Sequence, residues 1–381
     1  MIISRHIILI AGEASGDMHA AHLVKELKRL DPGLSFSGIG GPEMQKAGVE
    51  IYQDLTKIAV VGFVEVLKHF SHFKKAFRLI LDKIREIRPA GVILVDYPGF
   101  NLRLAPKIKN LGIKVIYYIS PQVWAWKKNR VKIIQKYVDR MLVLFLFEKY
   151  FYARLGVDVC FVGHPLIDAV NVKIDSTKQE FLSSRGLDPS ILTVGLLPGS
   201  RQREIEVHLP LMLKAASLLQ KEFPSIRFLI LQAPSAGKEL IEGHTKQFPS
   251  LPLKILENKT YAGINASDLC IVASGTATLE TAILGKPMVV IYKTSFLTWI
   301  LARFFIRIPY IALVNVVAGK KVVPECIQFE ATAEHLAEEI KNLISDDKKI
   351  REMKEGFQKI RESLGQSGAS ARAAQEVLRI I

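Results

Sequence analysis

The sequence predicts an α/β protein of two Rossmann-like domains whose parallel sheets face a cleft. Three observations carry this. Short apolar runs rich in β-branched residues recur at Ile7–Ala11, Ala90–Val95, Val115–Ile119, Thr193–Leu197 and Leu269–Ser274, and helical patterns separate them. Several runs are apolar at consecutive rather than alternate positions, as in strands buried on both faces of a parallel sheet. Finally, 381 residues exceed one ordinary domain, and a polar stretch, Val172–Pro189, divides them. The expected division is 7–170 for the first domain, 188–350 for the second, and 351–381 for charged C-terminal helices.

Composition narrows the function. There are 52 basic and 37 acidic residues, a formal net charge of +15, which implies an anionic partner: nucleic acid, a membrane surface or a phosphorylated substrate. No nucleic-acid recognition motif is present, and the basic residues are interleaved with aliphatic and aromatic ones, which suits lipid better. The three cysteines, Cys160, Cys270 and Cys326, sit in apolar surroundings without C-x-x-C spacing, as expected of buried thiols in a reduced, cytosolic chain. The N-terminal apolar run is too short for a signal peptide and leads into Gly12. Ser295–Val317 is long and apolar but contains Arg303, Arg307 and Pro309, so a buried or interfacial segment is expected rather than a transmembrane one.

In chain order, Ile7–Ala11 is the first strand. The loop Gly12–Asp17 follows, then an amphipathic helix from about Met18 to Leu30. Glu13 at the strand's end can accept a hydrogen bond from a sugar hydroxyl, or merely cap the helix. Phe36–Gly41 is a strand with a glycine turn. Ile58–Ile87 carries a core-facing stripe of Phe63, Leu67, Phe70, Ala76 or Phe77, Ile80, Ile84 and Ile87. Val66 and Phe73 lie off that stripe, and Lys68, Lys74, Lys75, Arg78, Lys83, Arg85 and Arg88 form a basic rim against Glu65, Asp82 and Glu86. Surplus apolar surface with such a rim suits a membrane interface or an acyl-chain pocket; a core helix with a solvated face is the plainer alternative. Ala90–Val95 ends in Asp96-Tyr97-Pro98-Gly99. A carboxylate at the carboxyl end of a parallel strand is placed for general-base work, or for capping the next helix. Val115–Ile119 runs into Ser120–Trp126, where Trp124 and Trp126 offer a sugar or acyl platform or a core cover. Lys127 begins the densest basic run. Met141–Leu146 and Val159–Gly163 complete this half, and His164 in its turn reads as readily structural as chemical.

Thr193–Leu197 opens the second half and breaks at Pro198-Gly199. Ser200 and Arg201 follow, then a helix in which Pro210 reads as a first-turn proline. A strand, a Gly-Ser-Arg turn and a helix together make an anion site, because backbone N–H groups and the helix dipole point at the turn and arginine can fork two phosphate oxygens. A plain βα turn with a solvated arginine is the alternative. Strands follow at Ile226–Gln232, Leu253–Leu256, Leu269–Ser274 and Met288–Tyr292. Ser274, Gly275 and Thr276 form a second helix-start anion site. Glu280, a turn further in, is placed to hold both hydroxyls of a ribose. Asn315 offers an amide near another turn, and the helices Thr332–Ile344 and Lys348–Ile381 read as scaffolding.

The motifs AGEASGD, DYPGFN, SPQVWAW, FVGHPL, LLPGSR and SGTATLE occur here in that order. With them the chain resembles the lipid-A-disaccharide synthase family of bacterial glycosyltransferases, from about Ile7 to beyond Asn315. The resemblance implies the two-domain GT-B architecture, with the last helix crossing back to the first domain. It also implies a reaction: UDP-2,3-diacylglucosamine donates its glucosamine unit to 2,3-diacylglucosamine 1-phosphate, with inversion, giving a β-1,6 disaccharide phosphate and UDP. In these terms Asp96 is first choice for the base and Glu13 second. Arg201, Ser200 and the Ser274–Thr276 amides hold the leaving diphosphate without a metal or other cofactor, Glu280 holds the ribose, and Asn315 has a polar role near the donor. Val66, Phe70, Phe73, Trp124, Trp126 and Lys127 meet acyl chains and the anionic inner face of the inner membrane, so the enzyme is expected to be cytoplasmic and peripheral. A homodimer is carried beside the monomer. Other GT-B UDP-sugar enzymes, such as a muramyl-lipid N-acetylglucosaminyltransferase or a UDP-sugar epimerase, are the nearest alternatives; a basic nucleic-acid-binding protein and a non-catalytic lipid carrier are the remote ones.

Overall fold

The computed structural model describes residues 5–56, 70–124, 130–173, 176–234, 236–296, 299–300 and 309–381. The chain divides into two compact units, Met1–Pro165 with Leu364–Ile381, and Leu166–Ser363.

The first unit alternates strands and helices: β1 (His6–Ala11), α1 (Ala14–Leu30), β2 (Ser35–Ile39), α2 (Pro42–Lys46), β3 (Glu50–Gln53), α3 (Phe70–Ile87), β4 (Gly91–Val95), α4 (Pro98–Lys109), β5 (Lys114–Tyr118), α5 (Arg130–Tyr137), β6 (Arg140–Val143), α6 (Leu146–Ala153) and β7 (Val159–Phe161). The strands form one parallel sheet in the order β3-β2-β1-β4-β5-β6-β7. β1 and β4 are buried along almost their whole length, as their unbroken apolar runs require. One sheet face packs on Ala76, Ile80 and Ile84 of α3 and on α4, the other on Ala20, Leu23, Val24 and Leu27 of α1. The strand order reverses between β1 and β4, so the carboxyl ends of these neighbours form a topological switch point.

The second unit runs α7 (Leu166–Lys173), α8 (Lys178–Ser183), β8 (Thr193–Leu197), α9 (Gln202–Glu222), β9 (Arg227–Gln232), α10 (Lys238–Thr245), β10 (Leu253–Glu257), α11 (Thr260–Ala266), β11 (Leu269–Ala273), α12 (Thr276–Ile283), β12 (Met288–Tyr292), α13 (Leu313–Ala318), β13 (Glu325–Ile327), α14 (Ala333–Ile344) and α15 (Asp347–Ser363). Its parallel sheet has the order β10-β9-β8-β11-β12-β13, and its switch point lies between β8 and β11. The last helix, α16 (Ala369–Ile380), belongs to the first unit. There Ala373, Ala374 and Val377 are buried in the core, Arg372 Nε donates to Val162 O at 2.8 Å, and Glu376 pairs with Arg140.

Several expectations are corrected. The first loop is only Gly12-Glu13, because α1 starts at Ala14 and not near Met18. The polar stretch Val172–Pro189 is not a bare linker: α8 lies within it, capped by Thr177, whose hydroxyl accepts from Glu180 N at 3.2 Å. The division falls at Pro165/Leu166, and of the region 351–381 Leu364–Ile381, with α16, joins the first unit, α15 staying with the second. Pro210 is inside α9, not in its first turn. Its missing N–H leaves the Glu206 carbonyl without an intrahelical partner, and Glu206 is exposed, so water can serve that carbonyl. Cys270 and Cys326 are buried as expected, but Cys160 is only half-buried.

Candidate active site

In the first unit, Ala11 pairs with Val95 across β1 and β4, so Gly12-Glu13 and Asp96-Tyr97 leave the sheet side by side. Asp96 and Tyr97 both have left-handed backbones, with φ of 44° and 47°. Each such residue costs about 1 kcal/mol, and a consecutive pair persists only where the surroundings over-determine it. Here they do. The buried Asn101 Nδ2 donates to the Asp96 carbonyl at 2.8 Å and to the Val95 carbonyl at 3.2 Å. Tyr117 Oη donates to the Asp96 carbonyl at 2.6 Å, and Asp96 N donates to Tyr118 O at 3.0 Å. Gly12 completes the fit, since a Cβ there would come within 2.3 Å of the Tyr97 ring. Asn101→Ala is therefore expected to lower stability by about 1–3 kcal/mol in chemical denaturation, through the carbonyls it abandons.

The turn holds the Asp96 carboxyl in a poorly solvated place. Burial first, and the Glu13 charge second, push it from an ordinary 3.8 up to about 7. Glu13 is exposed, at the N-cap of α1 without a side-chain capping bond. The helix-capping alternatives therefore fail for both carboxylates: Tyr97, not Asp96, is the N-cap of α4.

Of the apolar candidates, Phe73 is half-buried, its ring 6.4 Å from that of Tyr97. The exposed face of α3 carries Lys74, Lys75, Arg78 and Arg85 together with Asp82 and Glu86, and Arg85 Nη1 pairs with Asp82 Oδ1 at 2.9 Å. Val66, Trp126, Lys127 and the side chain of Phe70 lie outside the described residues. Trp124 turns its polar edge inward. Its Nε1 donates to Glu148 Oε1 at 3.2 Å, beside Ser120 Oγ at 2.7 Å. No sequence pattern pointed to Glu148, which burial pushes up to about 7; it lies in the first turn of α6, which starts at Leu146, the expected end of a strand. His164 reads as structural. Its backbone N–H donates to Leu364 O at 2.8 Å, its ring lies 5.0 Å from that of Phe145, and burial lowers its ring pKa to about 3.

In the second unit, Leu197 pairs with Val272 across β8 and β11, so the Pro198–Arg201 and Ser274–Thr276 turns also leave side by side. Together they line a cavity of about 740 Å³, with Glu204, Tyr261 and Glu280. The cavity thus contains Ser200, Arg201, Ser274, Gly275, Thr276 and Glu280, six of the seven expected donor-site residues. Tyr261, which carries no sequence signal, donates its hydroxyl to Glu280 Oε1 at 2.8 Å and so orients that carboxylate. The phosphate-type turn is fastened from behind by the buried His208. Its Nε2 must accept from Lys293 N at 3.1 Å, so Nδ1 carries the proton and donates to Pro198 O at 3.2 Å. Burial lowers its pKa, which favours this neutral form.

Asn315, the seventh, lies outside the cavity lining. It is fully buried. Its Nδ2 donates to Val323 O and Glu325 Oε1, and its Oδ1 accepts from Val322 N and Val323 N, which fills both ends of the amide. Glu325 in turn accepts from Ile311 N and Ala312 N, and Ile311 O receives the Ser274 hydroxyl. Asn315 is therefore a buried brace behind Ser274. Among the described residues no group of three His, Cys, Asp or Glu side chains is placed to hold a metal ion.

With this geometry in place, the comparisons are specific. Residues 7–380 match the family model described as lipid-A-disaccharide synthetase. The chain is 46% identical to the lipid-A-disaccharide synthase of Geobacter metallireducens over 378 residues, covering 99% of this chain and 98% of that one. It is 44% identical to that of Nitrosococcus oceani, covering 97% and 94%. Among solved structures it is similar to UDP-GlcNAc 2-epimerase from Neisseria meningitidis bound to UDP-GlcNAc, with a TM-score of 0.65 at 14% identity, covering 98% and 100%. It is also similar to Acinetobacter baumannii MurG, with a TM-score of 0.59 at 16% identity, covering 98% and 99%. These two likenesses concern the fold, which is GT-B.

Proposed function

The chain belongs to the lipid-A-disaccharide synthase family of UDP-sugar-dependent glycosyltransferases, and from that premise we propose that it transfers 2,3-diacylglucosamine from UDP-2,3-diacylglucosamine to 2,3-diacylglucosamine 1-phosphate. The observation that supports the chemistry is Asp96: a carboxylate at a strand switch point, its pKa near 7, in a turn braced by Asn101 and Tyr117. That value suits a group that takes a proton in one step and returns it to solvent afterwards.

In this reading the acceptor's 6-hydroxyl attacks the donor's anomeric carbon while the bond from that carbon to the diphosphate oxygen breaks. The hydroxyl proton goes to Asp96, UDP leaves with the bonding pair, and the anomeric configuration inverts. Arg201 and the Ser274–Thr276 amides stabilise the charge growing on the leaving diphosphate, and Glu280, held by Tyr261, takes the ribose hydroxyls. Because fixed protein groups supply that stabilisation, transfer is expected to keep its full rate after exhaustive chelation; loss restored by Mg²⁺ would overturn the metal-free mechanism. The test of the reaction is a radiolabelled transfer assay with both lipid substrates and EDTA. Release of UDP together with a disaccharide phosphate establishes it, whereas UDP-sugar binding without product reopens the acceptor.

The membrane reading rests on α3. No described helix is long and apolar enough to cross a bilayer, while α3 presents basic residues beside the half-buried Phe73. Each lysine or arginine at an anionic surface adds about 1 kcal/mol of attraction. Seated on the inner leaflet, the enzyme would meet both lipid substrates where they reside. Phe73→Ser is expected to weaken binding to anionic vesicles about tenfold, within the range for exposing one aromatic side chain, with only a small drop in melting temperature. Collapse of the fold with vesicle affinity intact would place Phe73 in the core instead.

A further inference from the structure

The anion site at the start of α9 is already engaged by a side chain of this protein. Glu204, three residues past the N-cap Arg201, folds back over the turn. Its Oε2 accepts from Ser200 N at 3.1 Å and Arg201 N at 3.3 Å, and its Oε1 accepts from Arg201 Nη1 at 3.1 Å. Gly199, at φ 119°, makes room for it: a Cβ at that position would lie 2.6 Å from Glu204 Oε2. One carboxylate thus takes two backbone donors and the guanidinium on the wall of the cavity, and these are donors that a phosphate would take.

We propose that Glu204 is a built-in competitor for the diphosphate, holding the anion site in shape and giving it up when the nucleotide binds. The proposal rests on the donor-site reading of the cavity. An ordinary cap explains why a glutamate stands three residues past the N-cap, but it does not explain why the cap's partners are the cavity's own anion donors. The arrangement has a chemical use. The turn is preorganised at all times, because its N–H groups always have an acceptor. The same competition lowers affinity for the product UDP, which carries the diphosphate, and so favours release after each transfer. Both Arg201 and Glu204 are reached without unfolding anything, since their side chains are 79% and 26% exposed, and rotation of one carboxylate suffices to clear the site.

The test is calorimetric titration of wild type and Glu204→Gln with UDP and with uridine, alongside thermal unfolding. Glutamine has the same shape and can still accept from the turn amides, but it carries no charge. The expected result is a UDP affinity higher by roughly two- to fivefold in Glu204→Gln, the scale of one partly exposed ion pair, with uridine affinity unchanged because uridine lacks the phosphates. UDP should also become a stronger product inhibitor by the same factor. Equal or weaker UDP binding in a variant that unfolds at the wild-type temperature overturns the proposal. So does a gain shared equally by uridine, which would mean a general loosening of the cavity. If Glu204→Gln unfolds early, Glu204→Asp is titrated in its place; its carboxylate is one methylene short of the turn, and unchanged UDP affinity there overturns the idea. A wild type that binds no UDP is a separate failure, of the donor-site reading itself.

Discussion

Asp96→Asn is expected to lower kcat by about a thousandfold, within the usual range for removing a general base, while leaving UDP affinity unchanged. The substitution is nearly isosteric, and asparagine tolerates the left-handed region as well as aspartate does, so the strained turn at φ 44° survives it. The pH profile separates the two candidate bases. Asp96 must be ionised to accept a proton, so wild-type kcat/KM is expected to rise with pH through about 7 and level off above it. Glu13→Gln removes a neighbouring negative charge that raises the Asp96 pKa, so the acidic limb should move to lower pH with the plateau largely kept. If Glu13 is the base instead, Glu13→Gln abolishes turnover and Asp96→Asn keeps it. Near-normal turnover of Asp96→Asn removes Asp96 from that role.

A second readout of the same variant checks the physical cause. The folded-state pKa of Asp96, about 7, lies above its ordinary 3.8. The folded state therefore binds this proton more tightly than the unfolded chain does, and the contribution of Asp96 to stability is greatest at low pH and declines as pH rises from about 4 to about 7. The asparagine of the variant does not titrate and has no such dependence. The variant should melt above wild type at pH 8, and the gap should close towards pH 4. A gap that does not change with pH would show that the carboxyl is solvated and its pKa ordinary.

What the sequence made legible was the local part of this candidate site. Asp96, Glu13, Ser200, Arg201 and the Ser274–Thr276 turn were visible because each sits at the end of an apolar run, and strand ends can be read from a few neighbouring residues. Sheet order then brings them together two by two, at the switch points between β1 and β4 and between β8 and β11. Partners fixed by tertiary packing were not visible. Tyr261 reaches Glu280 across 19 residues of sequence, and His208 reaches Lys293 across 85. Asn315 shows the same limit: an amide near a turn looks available in sequence, while in the structure its donors and acceptors are engaged by residues 322–325. Pro210 misled for a similar reason, since a helix of 21 residues with packed neighbours can absorb one lost hydrogen bond that a short helix could not.

Arg201→Ala is expected to reduce kcat/KM for the UDP-sugar by about a hundredfold or more, the range seen when one preorganised donor to developing charge is removed. Two effects combine. In the bound complex the alanine variant loses the guanidinium that can fork two phosphate oxygens, so charge on the departing diphosphate is met at this turn by amide groups alone. Before binding, Glu204 loses its ion-pair partner at 3.1 Å while keeping the Ser200 and Arg201 amides. A carboxylate without its cationic partner then stands at the proposed diphosphate site. UDP affinity should therefore fall further than loss of one contact implies, while uridine affinity stays near wild type. The double variant Arg201→Ala/Glu204→Gln should recover part of the UDP affinity but little of the turnover, because removing the competitor repairs binding and not transition-state charge. Arg201→Lys should restore charge without the planar fork and fall between. Unchanged donor dependence in Arg201→Ala would remove Arg201 from the phosphate site and leave the Ser274–Thr276 amides as its principal holders.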